Sequence, residues 1–247
     1  MLSGKRIVVT GAYQGIGKET VRVLAENGAD VVACSYVDDE PFASYCKELS
    51  EKNGVEIETV FFDMSDDEAV KNAAKSIISA KKDIDGLINV AGISKDALFP
   101  MMNIDDLKYT FQINFFSQIM FSQTIARWMQ RKKTRGSIVF TSSMTALIGA
   151  SGQTSYGASK AALIGAMRCM AIELGKDGIR VNAVAPGVIK TPMTDALPEE
   201  FTMDNIKKMD IPRIGQPEDV ANMFAFLMSD MSSHITGQVL QVNGGMY

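Results

Sequence analysis

Short apolar runs and longer amphipathic stretches alternate along this chain from end to end, and that rhythm constrains the fold more than any single motif. Arg6–Thr10, Val31–Ser35, Glu58–Phe62, Gly86–Val90, Ser137–Thr141, Arg180–Ala185 and Val239–Val242 read as strands. Each is brief and mostly apolar, and most are rich in β-branched residues. Between them, Lys18–Asn27, Asp67–Ala80, Asp105–Met129, Ser155–Gly175 and Pro217–Met228 carry apolar residues at helical spacing. A further helix has Pro41 in its first turn, with Asp38 and Asp39 placed to cap it. Strands this continuously apolar are buried on both faces. The pattern therefore predicts an α/β fold, a parallel seven-stranded sheet doubly wound with helices on both faces. With 247 residues, no repeat and no linker, a single domain spanning 1–247 is expected. One stretch breaks the rhythm, Gly187–Gly215 with Pro192, Pro198 and Pro212. A substrate-covering flap is expected there, at about 188–215.

Composition removes several classes of function. A net charge of -4 and a pI near 5.2 provide no field for nucleic acid or an anionic membrane. No stretch approaches the ~18 apolar residues of a membrane span, so a soluble, cytoplasmic protein is expected. Cys34, Cys46 and Cys169 are scattered without CxxC spacing, which suits structural thiols in a reducing compartment. His234 is the single histidine. Multi-histidine metal sites are excluded and no metal is expected, while a Ser-His-Asp hydrolase would have to use that one residue.

Two motifs carry chemistry. Gly11, Gly15 and Gly17 punctuate the turn between the first strand and the first helix, where the backbone can approach a pyrophosphate and the helix N-terminus can bind it. Tyr156 and Lys160 lie four residues apart in a helical stretch, which puts both on one face. A tyrosine hydroxyl titrates near ~10 and serves as an acid or base only when its environment favours proton exchange. Lys160 is the cation expected to favour its phenolate.

The GxxxGxG spacing, Asp63 after the third strand, Asn89-Val90-Ala91-Gly92 after the fourth, Asn114, Ser143, Tyr156, Lys160 and Pro186-Gly187 together resemble the short-chain dehydrogenase/reductase family over essentially the whole chain. That resemblance implies a Rossmann-type sheet and a carbonyl reductase. Tyr156 would protonate the carbonyl oxygen, Ser143 would orient it, Lys160 would hold the cofactor ribose, and Asn114 would hold a relay water. It places the dinucleotide against Gly11, Tyr13, Gln14, Gly15, Ile16 and Gly17 of the turn, and against Asp63 and Met64, with Asp63 accepting from the adenine amino group or else capping a helix. Asn89, Ala91 and Gly92 would pass the ribose. Pro186, Gly187, Ile189 and Thr191 would flank the nicotinamide. Where an acidic residue would select NAD, the family alignment puts neutral Ser35, with Tyr36 and Gln14 as further hydrogen-bond donors. NADP(H) is therefore expected over NAD(H), although Gln14 replaces a frequent basic residue and Asp38 and Asp39 lie close by.

Within the family the chain is most like the 3-oxoacyl-[acyl-carrier-protein] reductases, on the strength of Gly152-Gln153, the flap length and the Val242–Tyr247 tail. Ser143, Gln153 and Tyr156 would then contact substrate. An acidic acyl carrier protein needs a basic docking surface, for which Arg131, Lys132, Lys133 and Arg135, with Arg168 and Lys176, are candidates. A solvated helix end explains the same run, and two positions where arginine is expected hold Thr134 and Asp177. A dehydrogenase or reductase of a free sugar, polyol or other small alcohol is the alternative, and a non-catalytic nucleotide-binding sensor a third. Phe111, Phe115, Phe116, Met120 and Phe121, with Leu163, Met167, Met170 and Leu174, exceed one buried face. Self-association is expected, and the resemblance implies a homotetramer with the tail at a subunit contact.

Overall fold

The computed structural model describes residues 1–195, 203, 204 and 206–246, and the expected strands form one sheet. They are β1 (Arg6–Thr10), β2 (Asp30–Ser35), β3 (Ile57–Phe61), β4 (Gly86–Asn89), β5 (Ser137–Thr141), β6 (Arg180–Pro186) and β7 (Val239–Val242). Their order is β3-β2-β1-β4-β5-β6-β7, and every pairing is parallel. The chain steps outward from β1 to β3, then crosses back to lay β4 beside β1. That reversal leaves a crevice at the C-terminal ends of β1 and β4, where ligands bind in folds of this kind.

The helices are α1 (Gly15–Glu26), α2 (Glu40–Asn53), α3 (Asp67–Ser79), α4 (Ile104–Phe111), α5 (Ser117–Lys132), α6 (Thr145–Ile148), α7 (Thr154–Gly175), α8 (Pro192–Asp195) and α9 (Pro217–Met228). Two hydrophobic cores show how the strand pattern works. Ile7 and Val9 of β1 pack with Leu24, Phe42 and Phe224 beneath α1, α2 and α9, while Val8 between them packs with Ile77, Phe121 and Leu163 beneath α3, α5 and α7. Successive side chains of a strand point to opposite faces, so a strand between two helical layers must be apolar at every position. The same alternation recurs in β5, where Ile138 and Phe140 face one core and Val139 the other.

The stretch Asp105–Met129, read as one helix, is in fact α4 and α5 joined by a π turn over Gln112–Phe116. The wider turn adds a residue to the spiral without breaking it, and Asn114 sits inside it. The expected flap is only partly described, since 196–202 and 205 lie outside the described residues. Its base is closed by a parallel bridge between Ile189 and Gly215, and the Ile211 N–H donates to the Gly244 carbonyl at 2.8 Å. Of the tail, Tyr247 lies outside the described residues, while Met246 is buried and its carbonyl accepts from Asn243 Nδ2 at 2.7 Å.

The residues that motivated self-association are mostly used within the chain. Phe121, Leu163 and Met167 are fully buried in the core beneath α5 and α7, and Phe115, Met120, Met170 and Leu174 pack against it. Phe116 is exposed. The outward face of α7 instead carries Ala158, Ala161, Gly165, Cys169 and Ile172, with Ile172 the most exposed large apolar side chain of the described residues at 82%.

Candidate active site

The crevice holds a cavity of about 530 Å³ that runs from the turn after β1, past the end of β2 and the loop after β4, to Tyr156 and Lys160 on α7. The glycines of the turn are required by close approach. A Cβ on Gly17 would overlap the Gly11 oxygen within the turn itself, and one on Gly11 would lie 2.7 Å from the Ala91 nitrogen, so a side chain at Gly11 would force the turn and the loop after β4 apart. Thr10 locks them together, its Oγ1 accepting from Val90 N at 3.1 Å and Ala91 N at 3.3 Å.

α1 starts at Gly15 with no side-chain cap and no acidic residue in its first turn. By contrast α2, α3, α4 and α9 all have acidic first turns. The first N–H groups of α1 are therefore free, and Gly15, Ile16 and Gly17 line the cavity. Free donors backed by the helix dipole suit a pyrophosphate. The glycine cradle and this bare terminus fit a dinucleotide.

Most of the expected cofactor residues meet here. Tyr13, Gln14, Ser35, Tyr36, Asp63 and Met64 line one end, Gly11, Ala91 and Gly92 the middle, and Thr191 the flap side. Ser35 differs in detail: its hydroxyl donates to the Val37 carbonyl and accepts from the Val37 N–H, both at 3.0 Å. Its one proton is spent on the β2–α2 turn instead of facing a phosphate. Asn89 is fully buried and donates to Ser122 Oγ at 3.0 Å. Pro186, Gly187 and Ile189 also lie off the cavity lining. The Pro186 carbonyl accepts from Met144 N, the Gly187 N–H donates to Val242 O, and the Ile189 side chain packs in the core beneath α9.

The four candidate catalytic residues converge at the other end. Ser143 follows β5, Tyr156 and Lys160 sit one turn apart on α7, and Asn114 faces them from the π turn. Lys160 is 2% exposed; its Nζ donates to the Thr141 carbonyl at 2.8 Å and stands 5.7 Å from the Tyr156 ring centroid. Burial lowers its pKa to about 8. For Tyr156 the result departs from expectation, because its pKa is raised, chiefly by burial, with the Ser143 hydroxyl lowering it and the Asp96 carboxylate raising it. Desolvation favours the neutral phenol, and the ammonium is directed at a carbonyl instead of the phenol oxygen.

Asn114 also differs from the expected water ligand. Its Oδ1 accepts from Ile93 N at 2.9 Å, and its Nδ2 donates to Ile93 O at 2.9 Å and Ser159 Oγ at 3.0 Å. Both amide protons are spent clamping the loop after β4 to α7. Gln153 is equally committed. Its Oε1 accepts from Thr145 Oγ1 at 2.9 Å and its Nε2 donates to Asp96 Oδ2 at 3.1 Å, while the Thr145 N–H donates to Ser143 Oγ at 3.1 Å. Sequence reading missed Thr10, Asp96 and Thr145. Thr10 carries a signal, a hydroxyl immediately before the glycine turn, whereas Asp96 and Thr145 meet Gln153 only through folding.

The two segments beside this polar group carry exposed apolar side chains. The Ala97 N–H donates to Gly152 O at 2.8 Å, which joins the segment after β4 to the segment before α7. On these two segments Leu98, Phe99, Met101, Leu147 and Ile148 are exposed, Phe99 at 70% and Met101 at 78%. A second cavity, of about 560 Å³, lies between α9, β7 and the end of the flap and contains none of the four candidate catalytic residues. The basic run sits elsewhere too. Arg131, Lys132, Lys133 and Arg135 end α5 just before Ser137 begins β5, whereas Ser143 follows the strand's far end. Five residues of strand span roughly 17 Å, so within one protomer the run lies at the opposite edge of the sheet from the catalytic group. Arg131 and Lys132 stand over the Trp128 ring, Lys132 pairs with Asp83 at 2.9 Å, and Gln130 donates to Asp177 at 2.6 Å.

Known proteins resemble this chain in sequence and architecture. A family model described as enoyl-(acyl carrier protein) reductase matches residues 11–247. The 3-oxoacyl-[acyl-carrier-protein] reductase FabG of Thermotoga maritima is 38% identical over 245 residues, covering 99% of this chain and 98% of that protein. The FabG proteins of Aquifex aeolicus and Staphylococcus aureus are 36% and 37% identical, again over 98% of their lengths and at least 98% of this chain. Among solved structures, a short-chain type dehydrogenase/reductase from Mycobacterium ulcerans superposes with a TM-score of 0.91 at 30% identity, covering 99% of this chain and 90% of that one. With a seven-stranded parallel sheet, a glycine cradle, Tyr156 and Lys160 at the end of the cavity and Ser143 beside Tyr156, this chain belongs to the short-chain dehydrogenase/reductase family, a family of nicotinamide-dependent oxidoreductases.

Proposed function

We propose that this protein reduces a 3-oxoacyl thioester on acyl carrier protein to the 3-hydroxyacyl thioester, using NADPH, in fatty acid biosynthesis. The observation that carries the substrate class is the exposed apolar cluster of Leu98, Phe99, Met101, Leu147 and Ile148 on the segments beside Asp96 and Gln153, taken as the mouth of the site, which suits an acyl chain better than a free sugar. Relatives named as 3-oxoacyl reductases support the same reading.

When bound, the cofactor supplies hydride to the carbonyl carbon. Tyr156 supplies the proton to the carbonyl oxygen, and its raised pKa keeps that proton in place at neutral pH. Ser143 Oγ accepts from Thr145 N, so its own proton is the one it donates; that proton, directed at the Tyr156 oxygen without substrate, would turn to the carbonyl oxygen on which charge develops. Lys160 holds the ribose hydroxyls and stabilises Tyr156 once the proton has left. Asn114 fixes the loop that borders the ribose, and a relay water would be held by the backbone of the π turn. Asp63, whose Oδ1 accepts from Ser65 N, has a second oxygen for the adenine amino group. Ser35 in place of a carboxylate at the end of β2, with Gln14 and Tyr36 as donors beside it, supports NADPH over NADH.

We extend the reading to partners and place. An acidic carrier docked on Arg131–Arg135 would serve the mouth of a neighbouring protomer, because the run and the mouth occupy opposite edges of the same chain. A homotetramer supplies such neighbours, with the Ile172 face of α7 at one contact. Sedimentation as a monomer at micromolar concentration would contradict this. The three cysteines are free thiols, and no helix among the described residues is long and apolar enough to cross a membrane. Both agree with a cytoplasmic protein.

A second reading, reduction or oxidation of a free sugar or polyol, is favoured by one feature, the polar group Asp96–Gln153–Thr145 just inside the mouth. The discriminating assay is NADPH oxidation with acetoacetyl-carrier thioester, crotonyl-carrier thioester and a panel of free sugars and ketones. The acetoacetyl thioester should exceed every other substrate in kcat/KM by at least about tenfold. A free sugar or the crotonyl thioester ranking first would overturn the assignment.

A further inference from the structure

The glycine turn contains a residue whose side chain reaches outside it. The Tyr13 ring packs on Phe42 of α2, with centroids 5.6 Å apart, and its hydroxyl donates to Asp39 Oδ2 at 2.7 Å. The other Asp39 oxygen accepts from Phe42 N at 2.9 Å and caps α2. The carboxylate is thus held from both sides, by the turn that borders the dinucleotide and by the helix that follows β2. Phe42 is 3% exposed, so the ring rests on a fixed support and the hydroxyl is aimed by packing.

The position of this pair gives it a consequence. Tyr13, Ser35 and Tyr36 line the same end of the cavity, and Asp39, held behind Tyr13 and off the lining itself, is the carboxylate bonded to that lining, four residues after the β2 end where a carboxylate accepts from the ribose 2′-hydroxyl in dinucleotide folds. Lys160 is the only cation among the described residues that line the cavity, and it lies at the far end. No fixed positive charge at this end of the lining offsets the Asp39 carboxylate behind Tyr13. The proton that Tyr13 donates to Asp39 is the nearest substitute.

We propose that Tyr13 sets the choice of dinucleotide by clamping the Asp39 carboxylate. Clamped, Asp39 has its outer oxygen occupied and part of its charge offset, so a 2′-phosphate is tolerated. Released, the same oxygen accepts from a ribose 2′-hydroxyl and repels a phosphate. The carboxylate also raises the Tyr13 pKa, the hydrogen bond being the largest cause, which keeps the phenol a donor throughout the neutral range. The inference rests on the dinucleotide reading of the cavity.

The test is the binding of NADH and NADPH, each without substrate, followed by fluorescence of the bound dinucleotide in the wild type, Tyr13→Phe, Asp39→Asn and the double variant. Phe keeps the packing on Phe42, and Asn keeps the helix cap. A hydrogen bond to a charged group is worth about tenfold or more in binding. Tyr13→Phe should therefore shift the ratio of the two dissociation constants about tenfold toward NADH. In the Asp39→Asn background the same substitution should shift it by less than about twofold. An unchanged ratio in Tyr13→Phe overturns the proposal, as does an equal shift with and without the Asp39 charge, or equal weakening of both dinucleotides. The wild-type preference is a separate result: NADH bound more tightly by the unmodified protein would sink the NADPH reading while leaving the shift as the test of Tyr13.

Discussion

Tyr156→Phe should reduce kcat for carbonyl reduction by about 10²–10⁴-fold, the range expected when a general acid is removed, while dinucleotide affinity stays within about twofold. The phenol is placed beside Ser143 on α7, and burial keeps it protonated, so the variant loses the transferable proton and little else. Phe preserves the ring and its contacts. The two effects are separable by measuring kcat in steady state and the dissociation constant without substrate. A variant that retains more than about a hundredth of the activity would show that the proton comes from elsewhere.

Lys160→Met should abolish turnover and also leave a signature in the cofactor-free protein. The ammonium is 2% exposed and its pKa falls from 10.5 to about 8 through burial. The folded state therefore binds fewer protons than the unfolded state between those values, and stability rises with pH across that window. Below about pH 8 the lysine is protonated in both states and the full cost of burying the charge is present. Relative to the Met variant, the wild type should gain on the order of 3 kcal/mol of unfolding free energy as the pH is raised from about 7.5 to about 10.5. Denaturant titrations of both proteins at several pH values measure this. A difference that stays flat would mean that the Lys160 charge is not desolvated and that its role at the ribose needs another basis.

What the sequence made legible was whatever depends on local pattern. The inner strands are buried on both faces, so each is a plain apolar run, while the edge strands β3 and β7 are only half-buried; the strand boundaries agree within about one residue, as with β5 at Ser137–Thr141, whereas α1 starts three residues before the expected Lys18. The glycine turn was equally readable, because the contact of Gly17 with the Gly11 oxygen tolerates no side chain. Contacts between distant segments were not readable. Ser35 ends β2 and lines the cavity, but its proton goes to Val37. Asn114 was identified as a site residue, yet the π turn that presents it has no mark in the residue pattern, and its amide is consumed by Ile93 and Ser159. The Tyr156 proton was assigned with the opposite bias, since a lysine four residues away looks like a nearby charge until its Nζ is seen directed at the Thr141 carbonyl. Of the nine apolar residues from which self-association was argued, Phe121, Leu163 and Met167 are interior while Phe116 is exposed, a division that helical spacing alone does not show.

The central claim, hydride reduction of a 3-oxoacyl carbonyl with the proton supplied by Tyr156, is tested most directly by isotope transfer within the acetoacetyl thioester assay. The protein is given NADPH deuterated at the transferred position of the nicotinamide C4, and the product is analysed by mass spectrometry. The account predicts a 3-hydroxybutyryl thioester carrying one deuterium at C3, formed by the wild type and slowed at least about a hundredfold in Tyr156→Phe. A product without deuterium at C3, or equal rates in the two proteins, would contradict it.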